Sequence, residues 1–226
     1  MLFKIMSHPF FNEGMFCHIV TNAAWYFIIC GIVCTVVPYL LGSINFAVII
    51  STKNYNDDVR AHGSGNAGMT NMLRTYGKKA AALTLGGDAL KAVLSALVGY
   101  FMMGLLGAYI AGFFCILGHM FPVFFKFRGG KGVVTAATSI LMCNPIVFLI
   151  LLVLFVLIVY IWRYISLASV LCVLLYPLIL SGVDTLLIGG SGIYMIFAIL
   201  TAILVVIKHK DNIKRLIDGK ENKLKF

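Results

Sequence analysis

Charged side chains are scarce in this sequence. Only 12% of its 226 residues are Asp, Glu, Lys or Arg, whereas 61% are hydrophobic and the mean hydropathy is +1.00. A soluble domain has about 25% charged residues and about half apolar ones. The scarcity of charge therefore excludes a soluble globular protein and indicates an integral membrane protein. We expect one transmembrane domain over 23–226, preceded by an N-terminal extension over 1–22.

Several patterns typical of reactive sites are also absent. The six cysteines are scattered and form no C-x-x-C pair, which argues against a metal or redox framework. There is no paired carboxylate, no metal-ligand spacing and no Ser-His-Asp order. We therefore expect no metal and no cofactor. Chemistry based on positioning and charge stabilisation fits better than a strong protein nucleophile.

The formal net charge is +10, and the basic residues sit in short loops beside apolar runs. That distribution points to anionic lipid headgroups or anionic substrates, not to nucleic acid. No obligate protein partner is evident. The segment before the first apolar run has no clear small-residue cleavage site, so we expect the first span to be retained.

The apolar runs predict an all-α bundle of seven transmembrane helices. They are Ala23–Ile50, Ala80–Met103, Gly104–Val123, Val133–Asn144, Ile146–Trp162, Tyr164–Gly182 and Ile193–Ile207. The fourth is short for about 30 Å of hydrocarbon. Counting it as a crossing places the polar segment Ser51–Lys79, Lys126–Lys131, Arg163 and the basic tail on one side, as the positive-inside rule favours. We therefore expect the N-terminus outside and the C-terminus in the cytoplasm.

The glycine–lysine loop, Phe124–Gly132, places three cations and three glycines between two apolar runs. Glycines allow the backbone to approach a ligand with its N–H groups, and Lys131 adds a mobile charge. The hypothesis is a phosphate-binding loop. A cytoplasmic connector that follows the positive-inside rule is the alternative, since the full Walker A pattern is missing.

The glycine–serine loop, Gly63–Asn71, is the second candidate. It combines glycines with short hydrogen-bonding side chains, and Arg74 follows it. Such a run can wrap a ligand. A flexible linker has similar glycine and serine content, but Asn66, Thr70 and Asn71, followed by Arg74, favour ligand binding.

Ionisable residues within or beside the apolar runs form two further groups. Asp88 and Lys91 are three residues apart, share a helix face and are predicted to pair. His119 is expected to support the structure or the loop after it, with a role as a ligand or acid–base group as the alternative. In the C-terminal motif, His209–Leu216, His209 and Asn212 share a face and are predicted to form a pocket with the two loops.

Three motifs in order resemble the bacterial acyl-phosphate:glycerol-3-phosphate acyltransferase family of the PlsY type, from about Tyr39 to the C-terminus. The motifs are Gly63–Asn71 with Arg74, Gly118–Phe124 running into Phe127–Val133, and His209–Leu216 with Gly219 and Glu221. Three departures from the family pattern are Asn45 for proline, Met69 for alanine and Arg128 for lysine.

The resemblance implies acyl transfer from acyl phosphate to the 1-hydroxyl of glycerol 3-phosphate, giving lysophosphatidic acid and phosphate in the first step of phospholipid synthesis. It implies a bacterial inner-membrane protein with its active site on the cytoplasmic side, in contact with membrane lipids. The site residues it implies are Ser64, Arg74, His209 and Asn212 for catalysis, Asn66, Asn71, Gly129, Gly130, Lys131 and Gly132 for substrate or phosphate binding, and His119, Arg128 and Glu221 for support. A transporter of a phosphorylated metabolite is the alternative, because it also needs basic cytoplasmic loops.

Overall fold

The computed structural model describes residues 24–188 and 192–224, and every regular element within these ranges is helical. The extension predicted over 1–22 lies outside the described residues. The chain divides into two compact units, Met1–Cys143 and Asn144–Phe226, and each is described by itself. The single domain over 23–226 stays a prediction.

Within its described residues, 24–143, the first unit contains five α-helices and two short 3₁₀ turns. The helices are α1 (Ala24–Ser43), α2 (Phe46–Tyr55), α3 (Met69–Tyr76), α4 (Lys78–Met120) and α5 (Val133–Cys143). The 3₁₀ turns are Val59–Ala61, between α2 and α3, and Val123–Phe125, between α4 and α5.

The first predicted span, Ala23–Ile50, is interrupted at Asn45. Its extended backbone separates α1 from α2, and its side-chain oxygen accepts a hydrogen bond from the Val48 amide at 3.1 Å. Asparagine is among the residues preferred at a helix N-cap because its side chain satisfies one of the unpaired amides of the first turn. A second helix therefore starts where the apolar pattern alone predicts continuation.

Helix α4 folds back on itself at Met103 and Gly104, as the two separate predicted spans require. Gly104 has φ +61°, a left-handed conformation that glycine adopts without strain. Lys91 Nζ and His119 Nδ1 lie 3.0 Å apart, although an uninterrupted helix would separate residues 28 positions apart by about 42 Å. Gly99 and Gly107 lie where the two arms approach so closely that a methyl group on either would collide with the backbone of the other.

The part of the second unit that the structure describes contains four α-helices. They are α6 (Pro145–Trp162), α7 (Ile165–Val183), α8 (Met195–Lys208) and α9 (Lys210–Ile217), with a π-helical turn, Asp184–Ile188, after α7. Asn144 caps α6 through the Val147 amide at 3.2 Å, and Pro145 follows in the first turn, where its missing N–H is not needed. The C-terminal segment folds back, because the Leu224 amide donates to the Arg163 carbonyl at 2.7 Å.

Four helical stretches within 24–188 and 192–224 are long and apolar enough to cross a membrane. They are Phe27–Tyr55, Lys78–Phe125, Pro145–Trp162 and Ile165–Leu186. On α6, Val153 and Val156 are 58% and 56% exposed, which suits contact with lipid and not with water. Helices α5 and α8 have only 11 and 14 residues, so the count of seven crossings stays a prediction.

The close approach of the α4 arms gives a stability prediction. Gly99→Ala should destabilise the protein by about 1–3 kcal/mol, the usual effect of overpacking, because its methyl group meets the Gly107 carbonyl. Gly86→Ala on the same helix is the matched control, since no atom lies within 4 Å of its added methyl group. Thermal unfolding of the purified variants in detergent measures both. Equal midpoints for the two variants would contradict the close packing.

Candidate active site

The glycine–serine loop is wound around the buried side chain of Asn71. The side-chain nitrogen Nδ2 of Asn71 donates to the Val59 and His62 carbonyls, both at 3.0 Å. Its side-chain oxygen Oδ1 accepts a hydrogen bond from the Ser64 backbone amide at 3.0 Å. Gly63 and Gly65 have φ +56° and +68°, so the loop uses conformations that favour glycine. Both N–H donors of Asn71 are thus engaged in holding the loop.

The polar groups on the outside of this loop are arranged differently. The Ser64 side chain is exposed and Asn66 is half-buried. Arg74 lies in the last turn of α3 with its side chain exposed, and it makes no ion pair with any residue in the described part of the chain. Met69, the departure within the motif, is the first residue of α3. The Ser64 hydroxyl belongs to the loop, and the Arg74 guanidinium belongs to α3, which follows the loop directly.

The glycine–lysine loop packs directly on His119. The Gly130 amide donates to the His119 carbonyl at 3.1 Å, so this N–H is engaged within the protein. A methyl group on Gly129 would collide with the His119 carbonyl, and one on Gly130 would collide with the His119 ring. Gly132 has φ +79°. The three glycines are required by these contacts and by the turn into α5, and Lys131 lies half-buried between the last two.

His119 belongs to a buried cluster of three ionisable side chains. Lys91 Nζ lies 2.8 Å from Asp88 Oδ1 and 3.0 Å from His119 Nδ1. The predicted Asp88–Lys91 pair is confirmed. The Lys91 ammonium also donates to the carbonyls of Gly42 and Ile44 at 2.9 and 2.8 Å, where α1 ends. Cations are favoured at a helix C-terminus because the last carbonyls there lack intrahelical partners.

The glycine–lysine loop contacts the glycine–serine loop at Gly130, and it contacts the 3₁₀ turn just before that loop through Arg60. Arg60 Nη1 donates to the Phe125 and Arg128 carbonyls of the glycine–lysine loop, both at 3.2 Å. The Ala67 carbonyl of the glycine–serine loop lies 2.8 Å from the position that a Gly130 side chain would occupy. The sequence motifs do not include Arg60. Only its position two residues after Asp58, with which it forms an ion pair, indicates a structural role for it.

In the second unit, His209 separates α8 from α9, and its side chain is buried. Its Nδ1 lies 2.7 Å from the Val205 carbonyl. A carbonyl oxygen only accepts hydrogen bonds, so Nδ1 carries the hydrogen and the lone pair of the neutral ring is on Nε2. The ring orientation is thereby fixed, which is the usual requirement for a histidine that transfers protons.

Asn212 and Glu221 are parts of one hydrogen-bond network. The Glu221 carboxylate accepts from Asn212 Nδ2 at 2.7 Å, from Arg215 Nε at 2.7 Å and from Ser166 Oγ at 2.9 Å. Burial opposes its ionisation, but these donors outweigh burial and hold the pKa of Glu221 below its ordinary value. The network connects the C-terminal segment to α7 and α9, and sequence reasoning without the family resemblance does not find it.

Comparison with known proteins adds to this geometry. The sequence model of a family described as "Glycerol-3-phosphate acyltransferase" matches residues 32–219. A glycerol-3-phosphate acyltransferase of a Thermoanaerobacter species is 40% identical over 189 residues, covering 84% of this chain and 93% of that protein. One from Finegoldia magna is 42% identical over 202 residues, covering 88% and 96%.

Two crystal structures of PlsY, described as an integral membrane glycerol 3-phosphate acyltransferase, have a similar fold. The glycerol 3-phosphate form has a TM-score of 0.78 and 35% identity, and covers 86% of this chain and 96% of that one. The lysophosphatidic acid form has a TM-score of 0.75 and 33% identity, and covers 86% and 95%.

The Glu221 network predicts a pH-dependent stability difference. A carboxyl whose pKa is lowered by folding stabilises the protein above the unfolded pKa, about 4.3 for glutamate, and loses this effect as the pH falls through the folded value. Glu221→Gln should therefore unfold at a lower temperature than the unsubstituted protein at pH 7, and the gap should narrow below about pH 4. The control is Asp218→Asn, which changes the same charge at an exposed site. A gap that does not depend on pH would contradict the assignment.

Proposed function

Because the chain belongs to the glycerol-3-phosphate acyltransferase family, we propose that it transfers a fatty acyl group from acyl phosphate to the 1-hydroxyl of glycerol 3-phosphate. The products are lysophosphatidic acid and inorganic phosphate, in the first step of phospholipid synthesis. The observation that carries this proposal is that the glycine–lysine loop contacts the glycine–serine loop at Gly130 and, through Arg60, the 3₁₀ turn just before it. Arg74 follows the first loop on α3 and Lys131 lies in the second, and the contact supports assigning both cations to one phosphate-binding site.

The reactants present two phosphate groups that repel each other, and the two loops supply the opposing charge. We assign Lys131 and Arg74 to the phosphate oxygens, with Arg128 adding positive potential at the exposed edge. Since the Gly130 amide is engaged with His119, the backbone donors we assign are those of Gly129 and Gly132. By the same reasoning, Asn71 and Gly130 shape the loops, and Asn66 remains a binding residue.

The reaction itself needs little from the protein beyond orientation and charge stabilisation. The 1-hydroxyl oxygen attacks the acyl carbonyl carbon, the bond from that carbon to the phosphate oxygen breaks, and phosphate leaves with the electron pair. No acyl-enzyme is required, because acyl phosphate is already activated. Ser64, His209 and Asn212 orient the hydroxyl and polarise the carbonyl, a role assigned from their family motifs. The proton goes either to Nε2 of His209 or to a substrate phosphate.

We also propose seven membrane crossings, with the N-terminus outside, the C-terminus in the cytoplasm, and the active site on the cytoplasmic side of the bacterial inner membrane. The distribution of basic residues supports this orientation. Helix α5 covers only about 16 Å at 1.5 Å per residue. Its crossing therefore depends on non-helical backbone at both ends, which membranes tolerate where it is buried in protein. Gly130, Gly132 and Asn144 are buried there.

The decisive experiment is a donor-swap assay with the purified full chain in detergent. We expect labelled glycerol 3-phosphate to become lysophosphatidic acid when palmitoyl phosphate is added, and not when palmitoyl-CoA is added. Product from palmitoyl-CoA alone would overturn the donor assignment. Uptake of glycerol 3-phosphate into sealed vesicles without any product would support the transporter reading.

Lys131→Ala is expected to raise the KM for glycerol 3-phosphate by about tenfold or more, or to abolish turnover, because each 1.4 kcal/mol of lost binding energy is a factor of ten. Lys53→Ala is the matched control, since this exposed lysine on α2 belongs to neither loop. Steady-state kinetics with varied glycerol 3-phosphate measures both variants. Unchanged KM and kcat in Lys131→Ala would remove the phosphate-loop assignment.

A further inference from the structure

Arg60 connects the glycine–lysine loop to the 3₁₀ turn Val59–Ala61, which precedes the glycine–serine loop and whose Val59 carbonyl accepts a hydrogen bond from Asn71 of that loop. Its Nε and Nη2 donate to the Asp58 carboxylate at distances between 2.7 and 3.1 Å. Its Nη1 donates to the carbonyls of Phe125 and Arg128 at 3.2 Å. The Asp58 carboxylate also accepts a hydrogen bond from the Arg60 backbone amide at 2.9 Å, so it binds both the backbone and the guanidinium of Arg60. We call this arrangement of Asp58, Arg60 and the two carbonyls the Arg60 bridge.

We propose that Arg60 is a positioning residue, which fixes the glycine–lysine loop against the glycine–serine loop and so sets the affinity for glycerol 3-phosphate. This inference rests on the proposed function. Arg60 does not enter it as a phosphate ligand. The described hydrogen bonds of its guanidinium go to Asp58 and to the two backbone carbonyls.

The loop conformation explains why the bridge is needed. Lys126 and Phe127 have φ +55° and +57°, and neither is glycine. A left-handed conformation is strained for a residue other than glycine. These two residues lie between the Phe125 and Arg128 carbonyls that Arg60 holds. Hydrogen bonds from a charged donor are stronger than those from a neutral one, and the two from Arg60 offset the strain of the turn.

Packing on the other side of the turn is consistent with the bridge. The Phe125 side chain contacts a buried cluster that includes Val59, Ala67 and Met72 of the first polar segment. Val59 and Ala67 are fully buried, whereas Phe124 and Phe127 are 59% and 58% exposed. Phe125 is therefore fixed at its side chain by the cluster and at its carbonyl by Arg60. The rest of the turn extends outward from this fixed point towards Gly129.

An arginine is required at this position for geometric reasons. The planar guanidinium has five N–H donors on three nitrogens, so it binds a carboxylate on one side and two carbonyls on another. A lysine ammonium is a single point of charge and cannot occupy both places. Arg60→Lys preserves the charge and removes the bridge. Asp58→Asn leaves Arg60 in place and weakens the group that orients it.

The first measurement does not depend on enzymatic activity. The glycine–lysine loop offers trypsin exposed sites at Lys126 and Arg128, and the start of α4 offers exposed reference sites at Lys78 and Lys79. In folded full-length protein, Arg60→Lys should be cut in the loop about fivefold faster or more than the unsubstituted protein, with unchanged cleavage at the reference sites. A release of 1 kcal/mol corresponds to a factor of about five in the open population. Asp58→Asn should act in the same direction, and Lys53→Ala should leave both rates unchanged.

The second measurement separates positioning from general stability. Arg60→Lys should raise the KM for glycerol 3-phosphate about tenfold, with kcat changed by less than about threefold, since each factor of ten is 1.4 kcal/mol of binding. Equal trypsin rates would overturn the bridge itself. Faster cleavage with an unchanged KM would overturn its role in substrate affinity. If the unsubstituted protein had no acyltransferase activity, the proposed function would fail, while the trypsin result would still decide whether the bridge exists.

Discussion

A buried ammonium group in a membrane protein must find partners, and Lys91 donates to the Gly42 and Ile44 carbonyls, lies 3.0 Å from His119 Nδ1 and is ion-paired with Asp88 Oδ1 at 2.8 Å. Placing a lysine at the centre of a membrane helix costs about 2.5–3.5 kcal/mol on insertion scales. Each hydrogen bond from a charged donor stabilises the structure by about 1.5–3 kcal/mol. The partners come from three chain segments. One side chain therefore specifies where α1 ends, how the α4 arms align and where His119 lies.

The geometry of the glycine–lysine loop follows from that arrangement. His119 carries the glycine–lysine loop on its carbonyl and ring, so it transmits the position of the buried cluster to Gly130. The end of α1 reaches the same region, because Tyr39 Oη donates to the Phe121 carbonyl at 2.8 Å and the Val123 amide donates to Ser43 Oγ at 3.3 Å. The loop after α4 is thus fixed at its beginning by α1 and in its middle by His119.

Sequence reasoning finds local relations here and misses distant ones, for physical reasons. The Asp88–Lys91 pair follows from a spacing of three on a helix. The third residue of the buried cluster, His119, is 28 residues after Lys91 and is brought close only by the turn at Gly104. Residue type also does not reveal which way an amide faces. Asn71 is a plausible ligand by composition, yet its donors hold Val59 and His62. Glu221 emerges only from family resemblance, because its partners lie on separate elements.

A division between shaping and binding residues explains why the loops contain both neutral amides and cations. Hydrogen bonds to backbone carbonyls come from three residues: Asn71, Gly130 and Arg60. These bonds fix the loop conformations before a substrate binds. Preorganised donors do not have to reorient when charge develops, and the ordering entropy has already been offset by folding. The cations proposed for phosphate are more accessible, with Arg74 exposed and Lys131 half-buried. The same reasoning separates two basic residues that composition treats alike. The planar guanidinium of Arg60 holds two backbone carbonyls in a fixed geometry. Lys131, which we propose for phosphate binding, has a flexible side chain with a compact charge, and this suits a ligand that must bind and dissociate.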